Sequence, residues 1–200
     1  MATPAAPRPS YPLTLDLDAP LKVARWRPLV HWLLAIPHYI MLYALGLLAG
    51  FVFVFSWFAI LFTGKMPESF FGLLCMEMRY RWRVSTYLAF MREAYPPFTF
   101  DTTAADPGTD PARLSFEPPG ALSRGLIFVK WLAVIPHLIV LFFLGIGALF
   151  VLLFGFFAVI ITGAWPAGAR NYVIGVQRWS NRVTMYFYLM TDQYPPFSLA

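Results

Sequence analysis

LVHWLLAIPHYIMLYALGLLAGFVFVFSWFAILF, residues 29–62, decides the fold of this chain. In 34 residues it contains no Lys, Arg, Asp or Glu. As one helix at 1.5 Å per residue it would be about 51 Å long, well beyond the hydrocarbon core of a bilayer at about 30 Å. Two arrangements resolve the excess. Either the helix breaks near Pro37 and its first part lies in the membrane interface, or two helices form a hairpin with its tip at Gly46–Gly50, where glycine permits a tight turn. The strong cations lie at the flanks, which in a hairpin share one side of the membrane. The positive-inside rule therefore favours the hairpin.

The stretch recurs as FVKWLAVIPHLIVLFFLGIGALFVLLFGFFAVII at residues 128–161, with Lys130 as its one strong charge. A constant offset of 99 lays one half of the chain on the other without a gap. Ile36-Pro37-His38 falls on Ile135-Pro136-His137, Thr63-Gly64 on Thr162-Gly163, and Tyr95-Pro96-Pro97-Phe98 on Tyr194-Pro195-Pro196-Phe197. Shared composition would align Leu with Leu; it would not align these motifs at one offset. The chain is a duplicated module, a source of pseudo-two-fold symmetry in membrane proteins.

Outward from the apolar core, each module begins with a short alternating segment, Leu13-Thr14-Leu15-Asp16-Leu17 and, more weakly, Leu114-Ser115-Phe116, the pattern of a half-buried strand. A basic and aromatic stretch around Arg25, Trp26 and Arg27 then approaches the core; the second copy keeps Arg124, Lys130 and Trp131. Beyond the core, Gly64 and Gly163 read as helix C-caps and Pro67 and Pro166 as helix starts. Leu73, Met76, Tyr80, Val84 and Tyr87 recur at helical spacing, as do Tyr172, Trp179, Val183 and Tyr186, with Arg79/Arg83 and Arg178/Arg182 along one edge. This predicts an amphipathic helix on the membrane surface. The boundaries read as a disordered N-terminal tail (1–12), module 1 (13–100), a linker (101–112) and module 2 (113–200). The predicted class is an all-α membrane protein with short extramembrane strands, each module an apolar helical hairpin followed by a surface helix.

Composition agrees. Hydrophobic residues make 59% of the chain and charged ones 12%, against about 25% charged in soluble domains. The formal net charge of +5 sits at the flanks of apolar stretches, so anionic headgroups account for it better than nucleic acid does. A lone cysteine, Cys75, excludes an intramolecular disulfide and cysteine-rich metal sites. No phosphate-binding glycine loop, nucleophile triad or carboxylate pair is present, so no catalytic residue, metal site or enzymatic activity is expected.

Two sets of repeated residues remain as candidates. His38 and His137 follow prolines inside apolar runs. As symmetry mates they could ligate a b-type haem from two helices, but the simpler role is a hydrogen bond to a carbonyl freed beside Pro37 or Pro136. The arginines Arg25, Arg79, Arg83, Arg124, Arg178 and Arg182 suit lipid phosphate or, equally, structural ion pairs with Asp16, Asp18, Glu93, Glu117 or Asp192. Glu77, Ser56 and Cys75 are not repeated, and Glu77 is placed to pair with Arg81 one turn on.

The Ile-Pro-His motif, the apolar run ending in Phe-Ala-Ile-Leu-Phe-Thr-Gly, the spaced arginines and Tyr-Pro-Pro-Phe resemble an uncharacterised bacterial membrane-domain family. It is a domain of unknown function, frequent in actinobacteria and often present in tandem. The resemblance covers residues 11–199. It implies a multi-pass protein of the bacterial inner membrane and supplies no activity, cofactor or catalytic residue. The basic flanks and both termini are expected to be cytoplasmic, and the apolar spans, as packing surface, with the basic surface helices, as headgroup contact, point to a non-enzymatic accessory or scaffold subunit. Such a subunit would bind membrane lipids and a larger membrane complex or a second copy. The alternative is a small transporter, channel or lipid-translocating protein.

Overall fold

The computed structural model describes residues 11–200; the first ten residues of the predicted tail lie outside the described residues. The elements run β1 (Leu13–Leu17), α1 (Arg27–Leu34), α2 (Ile36–Thr63), α3 (Glu68–Leu88), β2 (Ala112–Phe116), α4 (Lys130–Ala133), α5 (Ile135–Thr162) and α6 (Ala167–Phe187), with a 3-10 turn at Leu126–Phe128 before α4.

The expected hairpins are absent. α2 and α5 are each one continuous helix of 28 residues, about 42 Å long. Gly46, Gly50 and Gly145 are ordinary helical positions, where an added Cβ would meet nothing within 4 Å. A turn there would strip partners from peptide groups with only apolar side chains around them; an unbroken helix satisfies every one internally. The break falls instead at Ala35 and Val134, which end α1 and α4. Pro37 and Pro136 are therefore early residues of α2 and α5 rather than mid-helix kinks, in the first turn, where a missing N–H costs nothing. Both helices end on a left-handed glycine, Gly64 at φ 71° and Gly163 at φ 74°. The spans Ile36–Thr63 and Lys130–Thr162, which contain these two helices, are long and apolar enough to cross a membrane, with mean hydropathies of 2.4 and 2.9.

α3 and α6 are not surface helices. Their apolar stripes exist but face their own module's long helix: Met76, Tyr80 and Val84 cluster with Leu45, and Trp179, Val183 and Tyr186 with Val134. The other side of α3 is covered by the stretch read as a linker and by β2, so that Arg79 and Arg83 are buried almost as fully as Leu74. A stripe at helical period identifies the buried face of a helix, not what buries it.

β1 and β2 form a two-stranded antiparallel sheet in the register Leu13↔Phe116, Leu15↔Leu114, Leu17↔Ala112. Since Leu15 and Leu114 are repeat mates, the pseudo-two-fold axis passes between them, perpendicular to the sheet. Leu13, Leu15, Ala112, Leu114 and Phe116 point into the core, while Thr14, Asp16 and Arg113 face outward. The two modules exchange supports about this axis. The Arg79 guanidinium donates to the Leu114 carbonyl at 3.0 Å and Arg178 to that of Leu15 at 3.3 Å. The Leu122 N–H donates to Gly64 O and the Val23 N–H to Gly163 O, each at 2.9 Å. Phe71 meets Phe116 at 6.5 Å between ring centroids, eight residues before Arg79 meets Leu114, so α3 runs antiparallel to β2. α2 runs antiparallel to α3. The long helices thus lie along the strand direction, across the axis.

Candidate functional site

In both modules the Ile-Pro-His and Tyr-Pro-Pro-Phe motifs meet. α3 and α6 end not at the prolines but eight residues earlier, where Phe90 (φ 43°) and Leu189 (φ 64°) turn left-handed, and the Tyr-Pro-Pro-Phe segment folds back over the first turn of the long helix. The Tyr95 hydroxyl donates to Leu34 O and that of Tyr194 to Ala133 O, each at 3.1 Å. The His38 ring stacks on Phe98 at 4.5 Å and the His137 ring on Phe197 at 3.9 Å, with Tyr95 and Tyr194 on a second side. Below each ring lies a polar partner from the returning helix. His38 Nδ1 is 2.6 Å from the Tyr80 hydroxyl, and Trp179 Nε1 donates to His137 Nδ1 at 3.0 Å. The Trp179 bond fixes Nδ1 as acceptor and leaves the proton on Nε2. Both imidazoles are completely buried.

The histidines therefore bond to side chains, not to the carbonyl freed by the proline break. Each Nε2, the atom that would ligate an iron, is buried without a partner inside its own module's aromatic box. Tyr80 and Trp179 were visible in the sequence only as members of an apolar stripe. A separation of 42 residues from the histidine in both copies was the available signal.

The arginines divide into two groups. Arg79 and Arg83 are buried and share the Asp106 carboxylate, each at 3.2 Å. Arg79 also donates to the carbonyls of Asp101 and Thr103 at 3.0 and 2.9 Å, and Arg83 to Thr99 Oγ1 at 2.8 Å. Asp106 Oδ2 in turn accepts the Leu114 N–H at 3.0 Å. Arg92 pairs with Asp110 and donates to Arg83 O at 3.0 Å. These acids belong to the stretch taken for a linker, and none was among the expected partners. Of the expected ones, Glu93 contacts Arg27 at 3.7 Å and Asp192 contacts Lys130 at 2.7 Å. Arg178 and Arg182 occupy the same places on α6 but donate to backbone carbonyls, Arg178 to Leu199 O at 3.0 Å and Arg182 to Ser198 O at 3.3 Å.

Arg25 and Arg124 form the second group. Both are exposed, each lying over the capping glycine of the other module's long helix. A Cβ at Gly64 would stand 3.5 Å from Arg124 Nε, and one at Gly163 would stand 3.6 Å from Arg25 Cγ. Cations here complement the negative pole of the helix dipole.

The remaining buried ionisable groups are held by ion pairs or by burial. Asp106 is held between two guanidinium groups. Burial pushes the Cys75 thiol up to about 12, out of reach of thiolate chemistry. Glu77 pairs with Arg81; burial raises its carboxyl above the usual range and Arg81 draws it back. Among the described residues no three His, Cys, Asp or Glu side chains are grouped to hold a metal ion. No curated protein and no solved structure matches the chain. One family model does, and it matches twice, over residues 25–99 and 124–198, an offset that repeats the one read from the motifs. The chain belongs to the family described as domain of unknown function DUF4389, in two tandem copies.

Proposed function

We propose that this protein is a non-enzymatic membrane module, an accessory or scaffold subunit that embeds α2 and α5 in lipid and presents its two-stranded sheet to water. The observation that carries this reading is the exposed side of the two long helices. From Tyr39 to Phe62 and from Leu138 to Ile161 it is a continuous apolar face, with Tyr43 and Phe62 each 72% exposed and Phe143 66%. The largest apolar patch on a typical soluble monomer covers about 300–600 Å²; two 42 Å helices exceed that several-fold. Exposed Lys22, Arg25, Lys65 and Arg124 lie near the ends of these helices, where anionic headgroups would meet them. A bacterial inner-membrane location is part of this proposal and is supported by the resemblance of the motifs alone.

The symmetry supports an orientation. If the pseudo-two-fold axis lay in the membrane plane, the sheet on that axis would sit at mid-depth, with Asp18 (82% exposed side chain) and Arg113 (45%) facing hydrocarbon, at a cost of several kcal/mol per charge. With the axis along the membrane normal, the sheet faces water and the long helices lie along the bilayer. Length and hydropathy alone favour the first orientation, with the axis in the membrane plane, in which α2 and α5 each cross.

Flotation with phosphatidylglycerol-containing liposomes tests membrane residence. The full chain is expected to float and to resist carbonate extraction. A monodisperse, detergent-free chain in the aqueous fraction would refute it.

A further inference from the structure

The pseudo-two-fold axis gives the molecule two equivalent grooves between its modules, and its own side chains fill only one of them. In the groove between α2 and α6 the Phe53 ring lies against the rings of Phe187 and Tyr188, at 5.2 and 6.2 Å between centroids. In the groove between α5 and α3 the repeat mates of these aromatics are Leu152, Leu88 and Ala89. Met78 and Met185, both buried, have Gln177 and Thr86 as mates. These mates line an open groove of about 320 Å³, at the lower end of the range of about 300–1,000 Å³ usual for ligand pockets. Trp82 and Phe90 are larger than their mates Asn181 and Leu189, but they form the floor. Trp82 Nε1 donates to Asp16 O at 3.4 Å, and the Phe90 ring stacks on Trp165 at 5.2 Å.

The lining determines what fits. It contains no charged side chain among the described residues. Its two hydroxyl groups are occupied, Ser85 Oγ donating to Trp82 O and Thr86 Oγ1 to Arg83 O, each at 2.8 Å. The N–H groups of Ala89, Phe90 and Met91 are all bonded within the turn that ends α3. The α5 wall runs on into the outer apolar face, where Leu149, one turn before Leu152, is 65% exposed and Leu153 54%. Apolar cavities take up hydrocarbon rather than water.

We infer, on the reading that α5 lies in lipid, that this groove holds one acyl chain of a membrane phospholipid, in the place that Phe53, Phe187 and Tyr188 take in the other half. The chain enters past Leu149 and lies over Trp82 and Phe90. The headgroup stays outside, and an uncharged lining does not discriminate between headgroups.

The probe is phosphatidylcholine with a diazirine at the end of one acyl chain, photolysed with the full chain in phosphatidylcholine nanodiscs and mapped by peptide mass spectrometry. Labels are expected within residues 85–91 and 173–177, together with labels at Leu149 and Phe150 on the outer face of α5. The triple variant Leu88→Phe, Ala89→Tyr, Leu152→Phe copies the filled groove. It should lose the groove labels at least about tenfold, because side chains that occupy the space exclude the ligand, and keep those at Leu149 and Phe150. The map of the unaltered chain decides the matter even where the variant fails to fold. Labels on the outer face without labels in the groove, or groove labels unchanged in a folded variant, would overturn the proposal. Absence of labels from α2 and α5 altogether would instead show that the helices are not in lipid, and the proposal would fall with that reading. Labelling of the groove by a diazirine palmitic acid that excess phosphatidylcholine does not compete away would make it a free fatty-acid site and overturn the proposal equally.

Discussion

Asp106 is the residue on which module 1 closes. It satisfies two buried guanidinium groups and a backbone N–H at the edge of β2, and removing one member of such a cluster leaves uncompensated charge in a desolvated place. Asp106→Asn should therefore cost about 3–5 kcal/mol, read as a lowered melting temperature in detergent. A smaller cost on replacing Arg79, Arg83 and Asp106 together by apolar residues would show that the loss comes from the orphaned charges. The arginines were legible in the sequence because they repeat at a fixed offset. Asp106 was not, because the position 99 residues before it is Pro7 and it stands in a polar stretch rich in Asp, Pro and Gly, the composition of a linker. The histidines were legible for the same reason as the arginines. Their partners were not, because Tyr80 and Trp179 differ between copies and read equally well as apolar packing. The pairing of Glu77 with Arg81 needed only one helical turn, and local spacing supplied it.

At the scale of elements, positive charge at both flanks and two glycines at the centre suggested a hairpin, but neither feature can make one in an apolar surround. What separates a turn from a helix at Gly50 is the conformational demand of the position, and this can be tested directly. In the continuous helix Gly50→Ala has open space for its methyl group and should be neutral or stabilising by up to about 1 kcal/mol. Gly50→Pro should cost about 3 kcal/mol or more by removing an internal hydrogen bond and clashing with the preceding turn. At a glycine needed for a tight turn with positive φ, alanine would be costly as well, so a neutral or stabilising Gly50→Ala marks the helix. Melting of the two variants in one detergent decides it. β1 was legible from alternation alone. That β2 would be its partner, and that α3 would lie beneath β2, follows from contacts between residues about 35 and 100 positions apart, and no local pattern encodes them.

For the whole molecule, the register of the sheet carries more than the length of its helices. Twenty-eight apolar residues suffice to cross a bilayer, yet the axis between Leu15 and Leu114 ties both long helices to a sheet whose outer face is polar. The two orientations make opposite statements about the ends of α2. Its start is marked by Ala94, exposed and adjacent to the tyrosine bonded to Leu34 O; its end is marked by Lys65, also exposed. A crossing helix puts these residues on opposite sides of the membrane. A helix lying along the bilayer puts both on the side of Asp18. The native thiol is fully buried, so Cys75→Ala gives a background in which Asp18→Cys, Ala94→Cys and Lys65→Cys can be labelled singly with a membrane-impermeant maleimide in sealed vesicles. With the axis along the membrane normal, all three react from the same side. Reaction of Ala94→Cys and Lys65→Cys from opposite sides would restore the crossing helix, and would require the polar face of the sheet to be covered by another chain within the membrane, since charged side chains at mid-depth persist only when they are paired or shielded.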